Sequence, residues 1–226
     1  MNKIIIDTDK YDLDIKEDLL IEIKKDTIIN INSEDNNNII IYSNNNKVKI
    51  IINLFDNSNL IINSLGINSS IDYNVNLNNN NYLLVVDSIL SKIDSLNNIN
   101  IISNGNDSKV YFYTNGINLS NNKLYFNLDG IVTKESHNAY LEENSKIINI
   151  NDGDSKIVPN LIIDSKDVVA NHSAFIGTFT KKDLYYLMSR GISLKDAKKL
   201  LIKSILLNKM ELNKDLFIKE IFLNIK

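Results

Sequence analysis

The sequence has no cysteine and no tryptophan, and only one proline, one arginine and two histidines occur among its 226 residues. Without cysteine the chain can form no disulfide and can offer no thiolate to a metal. These absences exclude a disulfide-stapled scaffold and any metal centre that is held by thiolates of this chain alone.

Charge and hydropathy exclude further classes. The formal net charge is −3, so no global field attracts nucleic acid or anionic lipid. Polar residues interrupt every apolar run, which argues against a transmembrane helix. Near the start of the chain, Asp7, Asp9 and Asp12 interrupt any apolar run typical of a secretory signal. We therefore expect a cytoplasmic protein with neither nucleic-acid nor membrane partners.

Short β-prone runs dominate the middle of the chain. They recur roughly every 10 to 14 residues and are separated by clusters rich in Asn. Examples are the runs 39–42, 48–52, 82–86, 110–113 and 161–163. Serial short strands with polar turns fit either a sandwich or a solenoid with several strands per coil.

The Asn-rich turns favour the solenoid. Asn tolerates the left-handed backbone conformation and can stack in hydrogen-bonded ladders between coils. A bias in nucleotide composition is an alternative explanation for the Asn tracts. We predict an all-β core over 38–178, preceded by a lead-in of strand and helix over 1–37.

The pattern becomes helical after residue 179. Capping signals precede three apolar-periodic segments: Thr180 with Asp183, Ser193 with Asp196, and Asn213. The first helix, over 181–190, is expected to end at Gly191. We predict a small helical subdomain over 179–226, docked on the end of the solenoid where it covers strand edges.

One segment contains residue types that the rest of the chain avoids. It runs from Asp167 to Leu201 and reads DVVANHSAFIGTFTKKDLYYLMSRGISLKDAKKLL, with the only arginine, Arg190. Upstream, the only proline begins the run PNLII at Pro159. Over roughly residues 136–207 the chain resembles the SufB/SufD family, the scaffold proteins of the SUF system of iron–sulfur cluster assembly, and most closely its SufD branch. Ala170, Ser173 and Phe175 depart from the usual pattern.

The resemblance implies a fold, partners and site residues. The core would be a right-handed parallel β-helix. His172 would lie where paired subunits meet and a nascent cluster forms, so it is a candidate interface, cluster-handling and metal residue. Tyr185, Tyr186, Arg190 and Gly191 would belong to the region that docks SufC, an ABC-type ATPase. The implied partners are this ATPase and either a SufB-like paralogue or a second copy.

Structural roles remain open for the same residues. A lone histidine in a strand is commonly a partly buried structural residue, and Tyr185 and Tyr186 would suit a packed core. Arg190 has two roles that are not exclusive: it can stabilise the end of its helix, or it can pair with an acid of a partner. His137 is expected at the surface, and Glu142 with Glu143 is expected in a solvated turn.

Three functions therefore compete. The first is a non-catalytic SUF scaffold that binds no cofactor alone, since clusters are normally held by cysteine, but handles a transient cluster within the complex. The chain has no phosphate-binding loop, so any ATP would be hydrolysed by another subunit. The second is an extracellular-type solenoid that binds or cleaves polysaccharide. The third is a degenerate SufD paralogue that regulates the ATPase.

Overall fold

The computed structural model describes residues 1–212 and 214–225, in which fifteen strands alternate between two parallel sheets and three helices follow. Sheet A contains β1 (Asn2–Ile6), β3 (Leu19–Ile23), β5 (Asn36–Asn44), β7 (Asn59–Ile67), β9 (Tyr82–Ser91), β11 (Lys109–Asn118), β13 (Tyr140–Asn149) and β15 (Val169–Gly177). Sheet B contains β2 (Lys10–Ile15), β4 (Thr27–Ser33), β6 (Lys47–Leu54), β8 (Ser70–Leu77), β10 (Ser95–Ser103), β12 (Lys123–Val132) and β14 (Asp154–Ile163).

Each coil of the solenoid has one strand in each sheet. A strand pairs in parallel with the strand two places along the chain, as β9 does with β11 where Tyr82 is opposite Lys109. Stacked turn residues are 23 apart between Asn57 and Asn80 and 31 apart between Asp107 and Asn138, so the later coils are longer. The prediction of a parallel β-helix core with C-terminal helices is confirmed, and a sandwich of antiparallel hairpins is excluded.

The core lies between the two sheets. Successive side chains of a strand point to opposite faces, so every second residue is buried between the sheets. In β4, Ile29 and Ile31 are fully buried, and Ile50 and Ile52 of β6 continue the same rows into the next coil. β-Branched residues suit such a surface, which explains why isoleucine-rich runs form these strands.

Asparagine supports the turns in the way that its position in the sequence predicts. In the described part of the chain five Asn residues have positive φ, between 49° and 65°: Asn45, Asn57, Asn68, Asn80 and Asn138. Their short polar side chains tolerate this left-handed conformation. Side-chain amides also bond from coil to coil: Asn76 Nδ2 donates to Asn53 Oδ1 over 3.1 Å, and Asn53 Nδ2 donates to Asn32 Oδ1 over 3.2 Å.

The N-terminal residues differ from the predicted lead-in. Residues 1–37 contain four strands, β1 to β4, and the start of β5, and these strands extend the same two sheets. This lead-in contains no helix, and its charged segment 14–25 contains β3, in which Leu19, Ile21 and Ile23 are buried. The alternation of apolar residues with period two accounts for the difference, because the charged residues occupy the exposed positions.

The helices are α1 (Lys181–Met188), α2 (Leu194–Leu206) and α3 (Lys214–Asn224). Both complete capping signals form as predicted, since Asp183 N donates to Thr180 Oγ1 and Asp196 N donates to Ser193 Oγ, each over 3.1 Å. Gly191 follows α1 with φ +83°, a conformation that favours glycine. The predicted cap Asn213 lies outside the described residues. No helix in the described ranges is long and apolar enough to span a bilayer.

The helical subdomain packs against the side of the solenoid, so the prediction that it docks on the end is wrong. Ile202 and Leu206 of α2 and Phe217 and Ile221 of α3 are buried in one cluster with residues from the outer face of sheet A. Ser88 Oγ of β9 donates to the Leu206 carbonyl over 2.6 Å. Because sheet A carries apolar residues on both faces in its central strands, it needs this cover, whereas the end of the solenoid is left open.

Candidate functional site

The last coil of the solenoid ends in two strands with free edges. In the described part of the chain β14 pairs only with β12, and β15 pairs only with β13. Each strand therefore presents unpaired backbone N–H and C=O groups, which are able to pair with another chain. Pro159, the only proline, lies in β14, where a missing N–H is tolerated at an edge.

Large apolar side chains are exposed on this same coil, which we call the open end (residues 154–177). They are Val158, Ile162, Ile163, Val169, Phe175 and Ile176. Ile163 and Ile176 point toward the interior of the solenoid, where no further coil covers them, and the other four lie on the outer faces of the two sheets. Exposed apolar residues beside free strand edges are typical of a protein–protein interface.

His172 lies at the open end, in β15. It is exposed, and its imidazole has no hydrogen-bond partner within residues 1–212 and 214–225. Its register partner is Glu143 of β13, so the two side chains project from the same face of sheet A. An exposed imidazole is able to ligate a metal, and its exposure does not fit the alternative of a partly buried structural histidine. Phe175 projects from the opposite face of β15, next to Lys146, and does not cover His172.

Glu143 is the residue that the sequence interpretation placed wrongly. It was expected in a solvated turn, but it lies within β13 with a relative exposure of 1%. Neither carboxyl oxygen has a hydrogen-bond partner in the structure. Burial, with a smaller effect from the charge of Asp129, raises the pKa of Glu143 to about 7. The alternation of Leu141, Glu143 and Ser145 along the strand is the signal that indicates its inward direction.

Gly130 makes room for this carboxylate. A Cβ atom at Gly130 of β12 would lie 2.6 Å from Glu143 Oε1, closer than two such atoms can approach. The buried acid is thus accommodated by a missing side chain on the facing sheet. A buried carboxyl group without a partner lowers stability, so its retention beside His172 favours a role in chemistry.

Further polar groups lie inside the solenoid behind Glu143. Thr114 Oγ1 donates to Ser145 Oγ over 2.6 Å, and Thr114 is the register partner of Asp87 in β9. Ser64 Oγ donates to Asp87 Oδ1 over 2.5 Å. Burial raises the pKa of Asp87 to about 7. The sequence pattern did not single out Asp87, because it follows an apolar run and only the fold shows that it faces the core.

His137 contacts Asp167, a pairing that the sequence does not predict. Its Nδ1 lies 3.0 Å from Asp167 Oδ1, and both residues are exposed in turns of adjacent coils. The hydrogen bond with His137 lowers the pKa of Asp167. The surface position predicted for His137 is therefore correct, and Asp167 pairs with this histidine and not with His172.

The second candidate surface is on α1. Tyr185 and Tyr186 are 64% and 57% exposed, and α1 has no buried residue, so these rings do not form a core. The Arg190 guanidinium carbon lies 4.5 Å from the centre of the Tyr186 ring. Such stacking orients the planar guanidinium while leaving its N–H groups free to bind a carboxylate. In the described part of the chain the guanidinium makes no hydrogen bond to the helix carbonyls.

Metal binding by this chain alone has little support in the geometry. No group of three or more His, Asp and Glu side chains in the described ranges is arranged to hold a metal ion. His172 and Glu143 would supply at most two ligands, from one nitrogen and one carboxylate.

Comparison with known proteins agrees with the resemblance. The family profile described as SUF system FeS cluster assembly, SufBD core domain, matches residues 69–205, more than half of the chain. The iron-sulfur cluster assembly protein SufD of Bacillus subtilis (strain 168) is 34% identical over 105 residues, which cover 45% of this chain. The match spans 24% of that relative, about a quarter of its length. The profile match covers the strands from β8 onward, α1 and most of α2.

Proposed function

The chain belongs to the SufBD core family of the SUF system of iron–sulfur cluster assembly, and on this premise we propose that it is a non-catalytic, SufD-like scaffold subunit. It pairs with a SufB-like subunit through the open end and docks a SufC-like ATPase through α1 and the start of α2. The observation that carries the proposal is the set of exposed apolar residues and free strand edges of β14 and β15, the coil that contains His172.

The cysteine content favours a different subunit as the partner over a second copy. Clusters are held mainly by thiolates, and this chain has none. A pair of identical chains would bring two copies of His172 together but no thiolate. A SufB-like partner that contributes cysteine would complete a site to which His172 adds a nitrogen ligand.

Because this chain has no cysteine, the proposal places the cluster within the complex and not on this chain alone. It is a transient cargo that forms between subunits, and this chain positions one side of it. Glu143, whose pKa lies near neutral pH, is placed to exchange a proton or to support an iron ion next to His172.

Co-expression tests the pairing surface. The chain is expressed with a SufB-like and a SufC-like protein, and complexes are isolated through a tag on the SufB-like protein. Ile176→Lys places a charge on the open end, and we expect it to weaken recovery of this chain by about 10-fold or more.

Ile5→Lys is the matched control, because Ile5 is an exposed isoleucine on β1 at the other end of sheet A. It should leave recovery unchanged. Equal recovery of both variants and the unmodified chain would refute pairing through the open end. Self-association of the chain without the SufB-like protein, lost in Ile176→Lys, would instead support a homodimer.

A further inference from the structure

A pocket lies between the side of the solenoid and the helical subdomain, away from the open end. Its volume is about 350 Å3. The solenoid contributes Lys92, Leu119, Ile150 and Asn151, α2 contributes Lys195, Lys198, Lys199 and Ile202, and the end of α3 contributes Asn224 and Ile225. This volume falls in the range of small-molecule sites.

Every charged side chain that lines the pocket is a lysine. Three come from α2 and one comes from the turn between β9 and β10. No described carboxylate lies within ion-pair distance of their ammonium groups. The chain has a net charge of −3, so four lining lysines without an ion-paired acid make this pocket locally positive against the overall charge.

The spacing of the helix lysines opposes helix stability. Lys195 is three residues from Lys198 and four from Lys199, so the three ammonium groups share one face of α2 and repel each other. Lys195 also lies in the first turn of the helix, where the macrodipole is positive and disfavours a cation. An anion bound among them would relieve both effects.

The floor of the pocket is apolar. Ile202 is buried, and it lies in the same cluster as Leu119, Ile150 and Ile225. A fully hydrated ion gains little binding free energy from such a floor. A ligand with an apolar group gains more, because binding removes that group from water. The low-dielectric floor also strengthens attraction between the lysines and a bound anion.

Hydrogen bonds hold the walls in place. Asn151 Nδ2 donates to the Leu119 carbonyl over 2.7 Å, which joins two turns of the solenoid wall. The bond from Ser88 to the Leu206 carbonyl fixes α2 on sheet A, and Tyr42 OH donates to Glu220 Oε2 over 2.7 Å, which fixes α3. The pocket is therefore largely formed before a ligand enters, so little ordering opposes binding.

We propose that this pocket binds a small anion that carries two negative charges beside an apolar group, such as an aryl phosphate. The lysines bind the charged group, and the floor of Leu119, Ile150 and Ile202 binds the apolar group. The site uses neither His172 nor the edges of β14 and β15, so the proposal does not depend on subunit pairing.

Three probes distinguish the contribution of the charged group to binding from that of the apolar group. Phenyl phosphate carries both features, inorganic phosphate carries only the charge, and benzyl alcohol carries only the apolar ring. Binding to the full chain is measured by calorimetry at low salt, where charge interactions are strongest. We expect saturable binding of phenyl phosphate, at least about 10-fold tighter than either other probe.

Variants locate the binding. The double substitution Lys198→Gln with Lys199→Gln should weaken phenyl phosphate at least about 10-fold. Lys203→Gln, on the same helix but outside the pocket lining, should change affinity less than about 2-fold. Lys92→Gln lies on the solenoid and leaves α2 untouched, so it tests the site even if the double variant unfolds.

Three outcomes would overturn the proposal: no saturable binding of phenyl phosphate, equal affinity for phenyl phosphate and inorganic phosphate, or equal losses in Lys92→Gln and Lys203→Gln. Loss of complex formation in the co-expression test would leave this result unaffected, since it is measured on the chain alone.

Discussion

Glu143 and His172 are register partners on adjacent strands, yet one is buried and the other is exposed. They project from the same face of sheet A, and the difference arises because β15 is the last strand and no coil covers it. A buried acid without a partner therefore lies directly behind a free imidazole. The buried, unpartnered carboxyl group of Glu143 lowers the stability of the fold, and the packing at the open end does not explain why it is there.

The first prediction concerns pH. The pKa of Glu143 is raised in the folded state to about 7, above the ordinary carboxyl value, so the folded state binds the extra proton and stability falls as pH rises from about 4.5 to 7. Glu143→Gln removes this dependence. Relative to the unmodified chain, we expect the variant to gain about 2.5 kcal/mol of unfolding free energy between pH 5 and pH 8.

Urea unfolding of both proteins at the two pH values measures this difference. Any effect of the amide on the unfolding free energy that does not depend on pH cancels when the change between the two pH values is compared between the proteins. A difference that does not vary with pH would show that Glu143 has an ordinary pKa in the folded chain.

The second prediction concerns His172. Because its side chain is exposed and unbonded, His172→Ala should change the unfolding free energy by no more than about 0.5 kcal/mol. If His172 handles the cluster, the same variant should assemble with its partners but fail to support maturation of iron–sulfur enzymes in cells. Thermal melting, co-purification and the activity of an iron–sulfur reporter enzyme are the measurements.

Two other outcomes are informative for His172. A fall in melting temperature with a proportional fall in maturation would indicate a structural residue. Full maturation with normal stability would remove His172 from the site, and it would favour the degenerate paralogue that regulates the ATPase.

The third prediction concerns the exposed surface of α1. Arg190→Lys keeps the charge but loses the planar, two-pronged guanidinium that stacks on Tyr186. If the guanidinium binds a carboxylate of the SufC-like ATPase, affinity should fall about 10-fold or more, and Lys182→Glu with Arg190→Glu should weaken it further. Calorimetry with the isolated ATPase measures the effect.

Lys219→Glu, on α3, provides the control for a general effect of charge reversal. Unchanged binding by Arg190→Lys would leave only a simple charge effect for Arg190. Normal binding by the charge-reversed double variant would place the ATPase on another surface.

The fourth prediction concerns cluster assembly. Anaerobic treatment of the isolated chain with iron and sulfide should produce no stable chromophore, because the chain contributes no thiolate. The same treatment of the complex with a SufB-like partner should produce one, and His172→Ala should reduce its yield. A stoichiometric cluster on the chain alone, seen by its visible absorption, would contradict the prediction.

Local features were predictable from the sequence because they depend on a few neighbouring residues. Thr180 with Asp183 and Ser193 with Asp196 cap their helices as predicted, since a cap needs only a hydroxyl and an N–H three residues away. Gly191 ends α1 for an equally local reason. The serial strands and their Asn turns also follow from a pattern with period two.

One N-terminal strand, β3, was not predicted, and the reason is physical. Residues 14–25 carry many charges, and charges at alternate positions look polar when averaged over the segment. The strand β3 nevertheless buries Leu19, Ile21 and Ile23, and its pairing with β1 and β5 makes this alternation stable.

The sequence by itself determined the all-β core of serial strands, the starts of α1 and α2 and the position of His172 in a late strand, because these depend on periodicity, capping and local motifs. Only the tertiary structure decided which residues lie together across coils. Glu143 and His172 lie in register on adjacent strands, and Lys92 and Lys198 line one pocket because α2 and α3 pack on the side of sheet A. Such contacts depend on the relative positions of distant segments, and the burial of apolar surface between sheet and helices sets those positions.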